Sequence, residues 1–382
     1  MKVLYILHST IMGGATISFL NMIEGLRTKG VEVAVILPKR DVAFEKNLEE
    51  LGSDYYYCPL IKSIWGNKNK NQLYKKFLLY PLKFIKKEYI KFQSFKNLCK
   101  IVKKISPDII HTNTGVIHEG YKCANKYSIP HVWHLREYQD KDFHWEIYPS
   151  KKIFEKYLNN SYVVTITEDI LHHFHLCQNH HAQTIYNGVL SNVLIYNDWP
   201  KQRYFLCASR IGPEKGHEDT IKAFAEFHKK VPDVRLCILG FGNNDYIENL
   251  QKMAKKLNCD DAIDWMGFQS DVVKYMRHAV ALIVSSRYEG FGRMTAEACF
   301  CGCVVVGRET GGTKEILDQA GGLFFNDVDT LQKKMEEIVS WDEKQYMSVA
   351  LKAQKVAMEL YSIESNVDQI YNLYKRILKE KS

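Results

Sequence analysis

The chain has 382 residues, 46% of them hydrophobic and 25% charged, a globular composition long enough to favour two cores over one. No apolar run approaches the roughly 18 to 20 residues of a membrane-spanning helix, and the ten scattered cysteines, without repeated Cys-x-x-Cys pairs, read as reduced thiols of a cytosolic protein. The net charge of +8 is unevenly held: residues 60–104 contain thirteen lysines and one acid, Glu88, a local +12 that leaves −4 for the rest.

The opening run KVLYIL is too short for the core of a signal peptide and reads as a first β-strand. A loop, HSTIMGGATIS, leads into a helical pattern, SFLNMIEGLRTKG, closed by Gly30, and VEVAVIL is the next strand. In the basic segment, Ile85, Tyr89, Phe92, Phe95, Cys99 and Val102 recur at spacings of three and four, an apolar stripe on a helix. Lysines fill much of the remainder, with Lys96, Lys100 and Lys103 close to the stripe. Such a helix, over 73–104, suits an anionic membrane surface, at about 1 kcal/mol per lysine near the headgroups; a solvated lysine face on a core helix is the alternative. No nucleic-acid-binding module accompanies the charge, so nucleic acid is not expected as a partner.

Short β-branched runs follow at 108–113, 130–135 and 162–167, with helical stretches between them, the rhythm of parallel βαβ units. Residues 185–203 turn polar and irregular, as an interdomain linker would. The second half restarts the rhythm: strands at 203–210, VRLCILG, ALIVSS and CVVVG alternate with helical patterns, and a helical tail runs over 342–380. Two Rossmann-like halves are expected, and ligands of such sheets bind at the carboxyl ends of the strands, here along a cleft between the halves.

Two glutamates stand out in SSRYEGFGRMTAEACFCGC, at 285–303. Glu289 follows the strand ALIVSS in a glycine-rich loop, and Glu297 lies a turn or two into the next helix, whose free N–H groups suit an anion such as a diphosphate. Carboxylates repel phosphates but accept hydrogen bonds from hydroxyls. A diphosphate flanked by two sets of hydroxyls describes a nucleotide sugar. Upstream, SRIGPEKGHEDTIKAF places Arg210 at a strand end and Lys215 five residues on in a glycine-flanked loop, a fork and a point charge able to clamp a diphosphate. Paired surface glutamates and solvated cations are the plainer readings. Cys299, Cys301 and Cys303 have a spacing unlike a zinc knuckle and read as buried small residues.

The stretches ASRIGPEKGHEDTIKAF and SSRYEGFGRMTAEACFCGCVVVGRETGGTKEIL, with GGATISFLNMIEGLRTKGVEV and YNGV in the first half, resemble the retaining glycosyltransferases of family 4. The resemblance is strong over 205–317 and weak over about 55–105. It implies the GT-B fold, an α/β architecture of two Rossmann-like parallel-sheet domains facing an interdomain cleft. The expected divisions are 1–195, binding acceptor, 196–365, binding the nucleotide sugar, and a helix at 366–382 packing back on the first domain. By position, Glu289 matches the contact to donor-sugar hydroxyls, Glu297 the ribose contact, and Arg210 and Lys215 the diphosphate binders. Gly13 and Gly14 match a loop whose amides approach the phosphates, and Phe291, Gly292 and Met294 fall where backbone contacts to sugar and phosphate are usual. His134, in VWHLREY, matches the histidine beside the anomeric carbon. Many relatives follow that histidine with aspartate; here Leu135, Arg136 and Glu137 follow, which leaves Arg136 and Glu137 as candidates for the acceptor pocket.

The activity implied is transfer of a hexose, with retention, from a nucleotide-diphosphate sugar, a UDP-sugar in expectation, to a saccharide or lipid-linked saccharide in cell-surface polysaccharide assembly. It would proceed by front-face substitution without a metal or other cofactor, in the cytoplasm and peripherally on the inner face of the cell membrane. A nucleotide-sugar epimerase of the same fold, or a non-catalytic nucleotide-sugar or polyanion-binding protein, are the rival readings. Two decoys are set aside. The DVD at 327–329 follows a glycine turn, AGGLFFN, and reads as a helix cap rather than a metal site, and LGFGNND, 239–245, reads as a tight strand–helix turn rather than a dinucleotide fingerprint.

Overall fold

The computed structural model describes residues 1–65, 73–192 and 198–381, those from 73 to 84 as backbone only. The lysines at 68 and 70, the side chains of those at 75, 76 and 83, and part of the expected linker, 193–197, lie outside the described residues. Two compact units result: Met1–Tyr186 together with Asn366–Ser382, and Asn187–Ser365.

The first unit is built from β1 (Lys2–Ile6), α1 (Gly14–Thr28), β2 (Glu32–Leu37), α2 (Val42–Glu50), β3 (Asp54–Tyr57), β4 (Ile64–Trp65), α3 (Leu73–Ile105), β5 (Ile109–Thr112), α4 (Glu119–Lys126), β6 (His131–Leu135), β7 (Glu146–Ile147), α5 (Lys151–Asn159), β8 (Tyr162–Thr165), α6 (Glu168–His173) and β9 (Ala182–Thr184). Its main sheet has the order β3-β2-β1-β5-β6-β8-β9, and every pairing in it is parallel. β5 and β6 are buried at every residue, as central strands covered on both faces must be. β4 and β7 form a separate antiparallel ribbon.

The second unit holds β10 (Tyr204–Ala208), α7 (His217–His228), β11 (Arg235–Leu239), α8 (Asn244–Lys256), β12 (Ile263–Gly267), α9 (Val272–His278), β13 (Ala281–Val284), α10 (Arg293–Phe300), β14 (Val305–Arg308), α11 (Gly311–Ala320), β15 (Leu323–Phe325), α12 (Val328–Val339) and α13 (Glu343–Leu360). Its six strands are also all parallel, in the order β12-β11-β10-β13-β14-β15. The last helix, α14 (Ile363–Lys381), belongs to the first unit from Asn366 onward. There its Tyr374, Ile370 and Ile377 are fully buried.

Both decoys resolve as structural features. Asp327 caps α12 in a capping box with Thr330. Gly240 sits at φ +141, and a Cβ there would lie 1.8 Å from the Ser209 carbonyl oxygen, so close backbone approach explains this glycine. Cys299, Cys301 and Cys303 are buried. Three sequence readings need correction. α1 starts at Gly14, inside the stretch read as loop, because Gly13 lies extended at its N-cap and the helix needs no side-chain cap to begin. AGGLFFN turns only at Gly321 and Gly322, and Leu323–Phe325 then join the sheet beside β14.

The third correction concerns α3. Ile85, Tyr89 and Phe92, read as one apolar stripe with Phe95, Cys99 and Val102, are 62%, 62% and 53% exposed, whereas Cys99 and Val102 are buried, so the stripe is divided between two faces. The buried face runs through Lys91, Ser94, Leu98, Cys99, Val102 and Ile105. Polar partners fix this choice: Lys91 Nζ donates to Ser63 Oγ at 2.6 Å and lies 3.6 Å from Glu119 Oε1, while Ser94 Oγ donates to the Pro59 carbonyl at 2.8 Å. Hydrophobic periodicity alone carries no information about such pairs. Both members of the ion pair are nearly inaccessible, so removing one strands the other in a dry interior. Lys91→Met is expected to destabilise the first unit by about 3–5 kcal/mol. Lys91→Met with Glu119→Leu should recover most of that loss in chemical denaturation; a single variant as stable as the parent would contradict this account.

Candidate functional site

In the second unit the loops after β10 and β13 lie at the carboxyl edge of adjacent strands. A single 3-10 turn, Pro213–Lys215, ends at Gly216, which opens α7. The Arg287 amide donates to the Glu214 carbonyl at 2.9 Å, tying the two loops together. In consequence Lys215 Nζ donates to Glu289 Oε1 at 2.6 Å, with both side chains about one-fifth exposed. Two residues 74 positions apart in the chain thus form one cation–carboxylate pair.

Glycine packing sets the height of that loop. The Gly312 amide donates to the Glu289 carbonyl at 2.8 Å, and a Cβ on Gly312 would come within 2.1 Å of the Phe291 carbonyl oxygen. The N-terminus of α11 is therefore pressed against 289–291. The Phe291 ring is buried, packed edge-on to Tyr361, which keeps the ring itself from a ligand. Gly292, at φ +86, is the N-cap of α10 and supplies no side-chain cap, which leaves the amides of the first turn, Met294 among them, for an anion.

Glu297 sits in the second turn of α10, and Arg293 Nε lies 2.7 Å from its Oε1. Burial raises the Glu297 carboxyl above its ordinary range, and Arg293 opposes that rise. Sequence reading passed over Arg293, although its position four residues before Glu297 is the helical ion-pair spacing. Arg210 is placed differently from the expected clamp. Its guanidinium bonds Glu214 at 2.5 Å and its side chain is 61% exposed. The structure thus unites Lys215 with Glu289, holds Glu297 through Arg293, and engages Arg210 with a neighbour in its own loop.

In the first unit a cavity of about 200 Å³ opens at the carboxyl ends of β1 and β5, lined among others by His8, Gly13, Gly14 and Asn113. Gly13 caps α1 without a side chain, and no acid stands in the first turn of the helix. Next to Asn113 lies a buried polar group. Arg136 Nε donates to Asn113 Oδ1 at 2.8 Å, and Arg136 Nη2 lies 3.5 Å from His134 Nδ1. Glu137 Oε1 accepts from the Thr114 hydroxyl at 2.7 Å and the Gly115 amide at 3.1 Å. Burial raises the Glu137 carboxyl and lowers the Arg136 guanidinium to about 10.

Burial also lowers His8, to about 4, and His111 and His134 far below the ordinary histidine range, with Arg136 adding repulsion to each. His111 escaped the sequence reading because fourteen histidines dilute any single one. A second cavity, of about 430 Å³, lies near the opposite ends of β6 and β8, beside Pro130, Ser161 and His181, away from the strand ends where ligands of parallel sheets bind. Among the described residues no group of three or more His, Cys, Asp or Glu is placed to hold a metal ion, and no helix is long and apolar enough to cross a membrane.

Anabaena HepE in complex with UDP superposes with a TM-score of 0.78 at 19% identity, over 98% of this chain and 100% of that one, and the architecture is the GT-B fold of glycosyltransferases. Residues 12–190 match the model described as Glycosyltransferase Family 4 and residues 196–355 the model described as Glycosyl transferases group 1, and the chain belongs to this family. N-acetyl-alpha-D-glucosaminyl L-malate synthase of Bacillus anthracis is 22% identical over 214 residues, 53% of this chain and 55% of that protein, so the match spans little more than half of that relative. Alpha-monoglucosyldiacylglycerol synthase of Acholeplasma laidlawii is 23% identical over 367 residues, 86% of this chain and 85% of that protein.

A Cβ on Gly13 would meet nothing within 4 Å and the backbone there is extended, so Gly13→Ala should leave the melting temperature unchanged; a clear drop would show that this glycine is needed for the fold. The buried neutral histidines set an acid limit. His8, His111, His118, His131 and His134 all have folded pKa values below the unfolded value of about 6.5. The unfolded chain therefore takes up protons first as pH falls. Their contribution to stability is intact above about pH 6.5 and lost below it, at up to about 1.4 kcal/mol per pH unit for each histidine. The denaturation midpoint should hold above about pH 7 and drop steeply below about pH 6.5, and a flat profile would contradict these assignments.

Proposed function

We propose that this protein is a retaining glycosyltransferase that moves a hexose from a UDP-sugar to a saccharide or lipid-linked saccharide during cell-surface polysaccharide assembly. The observation that carries the reading is the Lys215–Glu289 pair, 2.6 Å apart at the carboxyl edge of a parallel sheet and beside the uncapped N-terminus of α10. It offers an anion a cation and amide dipoles, and offers sugar hydroxyls a carboxylate, within one small volume. The name of the UDP-bound Anabaena neighbour supports uridine as the base. The Acholeplasma relative's name supports an acceptor with a lipid portion.

In this reading Lys215 and the first-turn amides of α10 hold the diphosphate, and Arg210 swings from Glu214 to join them. Glu289 accepts from donor-sugar hydroxyls and Glu297, steadied by Arg293, from the ribose diol. The amides at Gly13 and Gly14 approach the phosphates, and His134 contacts the sugar. Arg136 and Glu137 shape the acceptor pocket. The bond from the anomeric carbon to the diphosphate oxygen breaks, and its electron pair leaves with that oxygen. The acceptor hydroxyl oxygen bonds to the same face of the anomeric carbon, and its proton passes to the departing diphosphate, so configuration is kept. Stabilising the leaving charge is the main catalytic contribution. Glu289 is not assigned as a nucleophile, since in this reading its carboxylate is engaged by donor-sugar hydroxyls.

The basic helix is assigned to a cytoplasmic, peripheral place on an anionic membrane. Exposed Ile85, Tyr89 and Phe92 continue at helical spacing into exposed Lys96, Lys100 and Lys103, an apolar row running into a cationic one.

The first test is a donor panel of UDP-, GDP-, ADP-, dTDP- and CMP-sugars scored by thermal shift and slow donor hydrolysis, with a UDP-sugar expected to register. Silence across the panel from folded protein would favour a non-catalytic role, and a changed sugar without transfer would favour an epimerase. Lys215→Ala and Glu289→Gln should each lower transfer by at least about 10²-fold with the fold intact. Near-parental turnover in either would remove the site assignment.

A further inference from the structure

The cavity of about 430 Å³ at the amino ends of β6 and β8 falls within the size range of small-molecule sites, about 300–1,000 Å³. No Lys, Arg, Asp or Glu lines it. In a chain that is 25% charged, such a lining suits an uncharged ligand.

Two helices end at this cavity. Asn125 and Ser128 stand at the close of α4, and Asn159 and Asn160 at the close of α5. The last carbonyls of a helix are acceptors without intrahelical donors and carry its negative partial charge, so they repel phosphate and suit hydroxyl donors. Asn160 Nδ2 donates to the Lys156 carbonyl at 3.0 Å, whereas the side-chain amides of Asn125 and Asn159 have no partner among the described residues. Each of these two presents a carbonyl acceptor and two N–H donors from an exposed position. Tyr121, stacked on Tyr157 with ring centroids 4.6 Å apart, adds an aromatic side to the cavity.

Two further observations weigh toward a ligand. Ser128 takes φ +54 just past the end of α4, where the Ile129 amide donates to the Ala124 carbonyl at 3.0 Å. Glycine is the usual residue at such a left-handed helix end; serine costs stability there, and its residue lines the cavity. His131 also lines the cavity and is 5% exposed. Its Nε2 lies 2.8 Å from Thr112 Oγ1, while its Nδ1 has no hydrogen-bond partner among the described residues. Burial lowers this histidine to about 3, so it too is uncharged.

We propose that this cavity is a carbohydrate-binding site for an uncharged sugar residue of a glycan, distinct from the Lys215–Glu289 site and from the Gly13–Gly14 cavity. The asparagine amides serve neighbouring hydroxyls as donor and acceptor together, helix-end carbonyls accept from others, and the Tyr121 side offers apolar contact to the ring carbons. Strand β6 separates His131 from Arg136 by roughly 16 Å, at about 3.3 Å per residue, so a sugar held here stays clear of the candidate acceptor pocket. The site's role is to retain a glycan chain on the first unit. That role rests on the glycosyltransferase reading above; the binding does not.

The test is saturation-transfer difference NMR on the full chain with maltotetraose, cellotetraose, chitotetraose and, as the charged control, tetragalacturonate. At least one of the three uncharged oligosaccharides is expected to bind, and the control is not. Asn125→Ala combined with Asn159→Ala should weaken that binding at least about tenfold at an unchanged melting temperature, since both residues are exposed. Ser128→Gly should also weaken it while holding or raising the melting temperature, because glycine suits the left-handed backbone. Lys215→Ala and saturating UDP should leave it unchanged. Silence from all three uncharged oligosaccharides with folded protein overturns the proposal, as does binding that survives the double asparagine variant or is displaced by UDP. Tighter binding of tetragalacturonate than of the uncharged three overturns the ligand class. A chain that binds oligosaccharide through these asparagines yet transfers from no nucleotide sugar keeps the site and loses the role.

Discussion

Parallel pairing is the constraint on which the rest of this molecule depends. Every pairing in both main sheets is parallel, so each strand must be followed by a crossover before the next begins. The crossover sends the loop after each strand, and the start of each following helix, to one edge of the sheet. Lys215 follows β10, Glu289 follows β13 and Gly13 follows β1 for that reason. None of these residues lies on the sheet's buried faces, so their polarity costs the core nothing. Their proximity is set by strand order instead: β10 and β13 are neighbours, although β11 and β12 come between them in the chain.

The two units handle charge in opposite ways. The second keeps its site charges in pairs, Lys215 with Glu289 and Arg293 with Glu297, at partial or low exposure. The first buries Arg136 and surrounds it with hydrogen-bonding groups, neutral histidines among them, with Glu137 next to it in the chain. Burial, reinforced by the neighbouring cation, keeps these imidazoles uncharged, and uncharged imidazoles have tautomers that their neighbours can set. Arg136, His134, His111, Tyr374 and Tyr5 are thereby joined in one row of polar contacts that reaches the C-terminal helix.

The long basic helix shows how polar pairs override pattern. Its apolar residues at 85, 89 and 92 have good helical spacing, yet they face outward. A lysine and a serine turn inward in their place, because Ser63, Glu119 and the Pro59 carbonyl are there to receive them. The helix thereby presents outward both an apolar row and the lysines that continue it.

Much was legible in the chain itself. Short β-branched and fully apolar runs marked the central strands, because burial on both faces leaves few polar choices, and the glycine-flanked motifs marked the loops at their ends. The short strands β3, β9, β12 and β15 were not legible, since three to five residues, several of them polar or aromatic, carry too little pattern to separate strand from turn. The sequence by itself determined which residue types stand at the strand ends: the lysine, the two glutamates, the histidine and the glycines. Only the tertiary structure decided their partners: Lys215 with Glu289, Arg210 with Glu214, and His134 with His111 and, through it, Tyr374. Hydrogen bonds and ion pairs act over about 3 Å in space, and distance along the chain does not encode which donor comes within that reach.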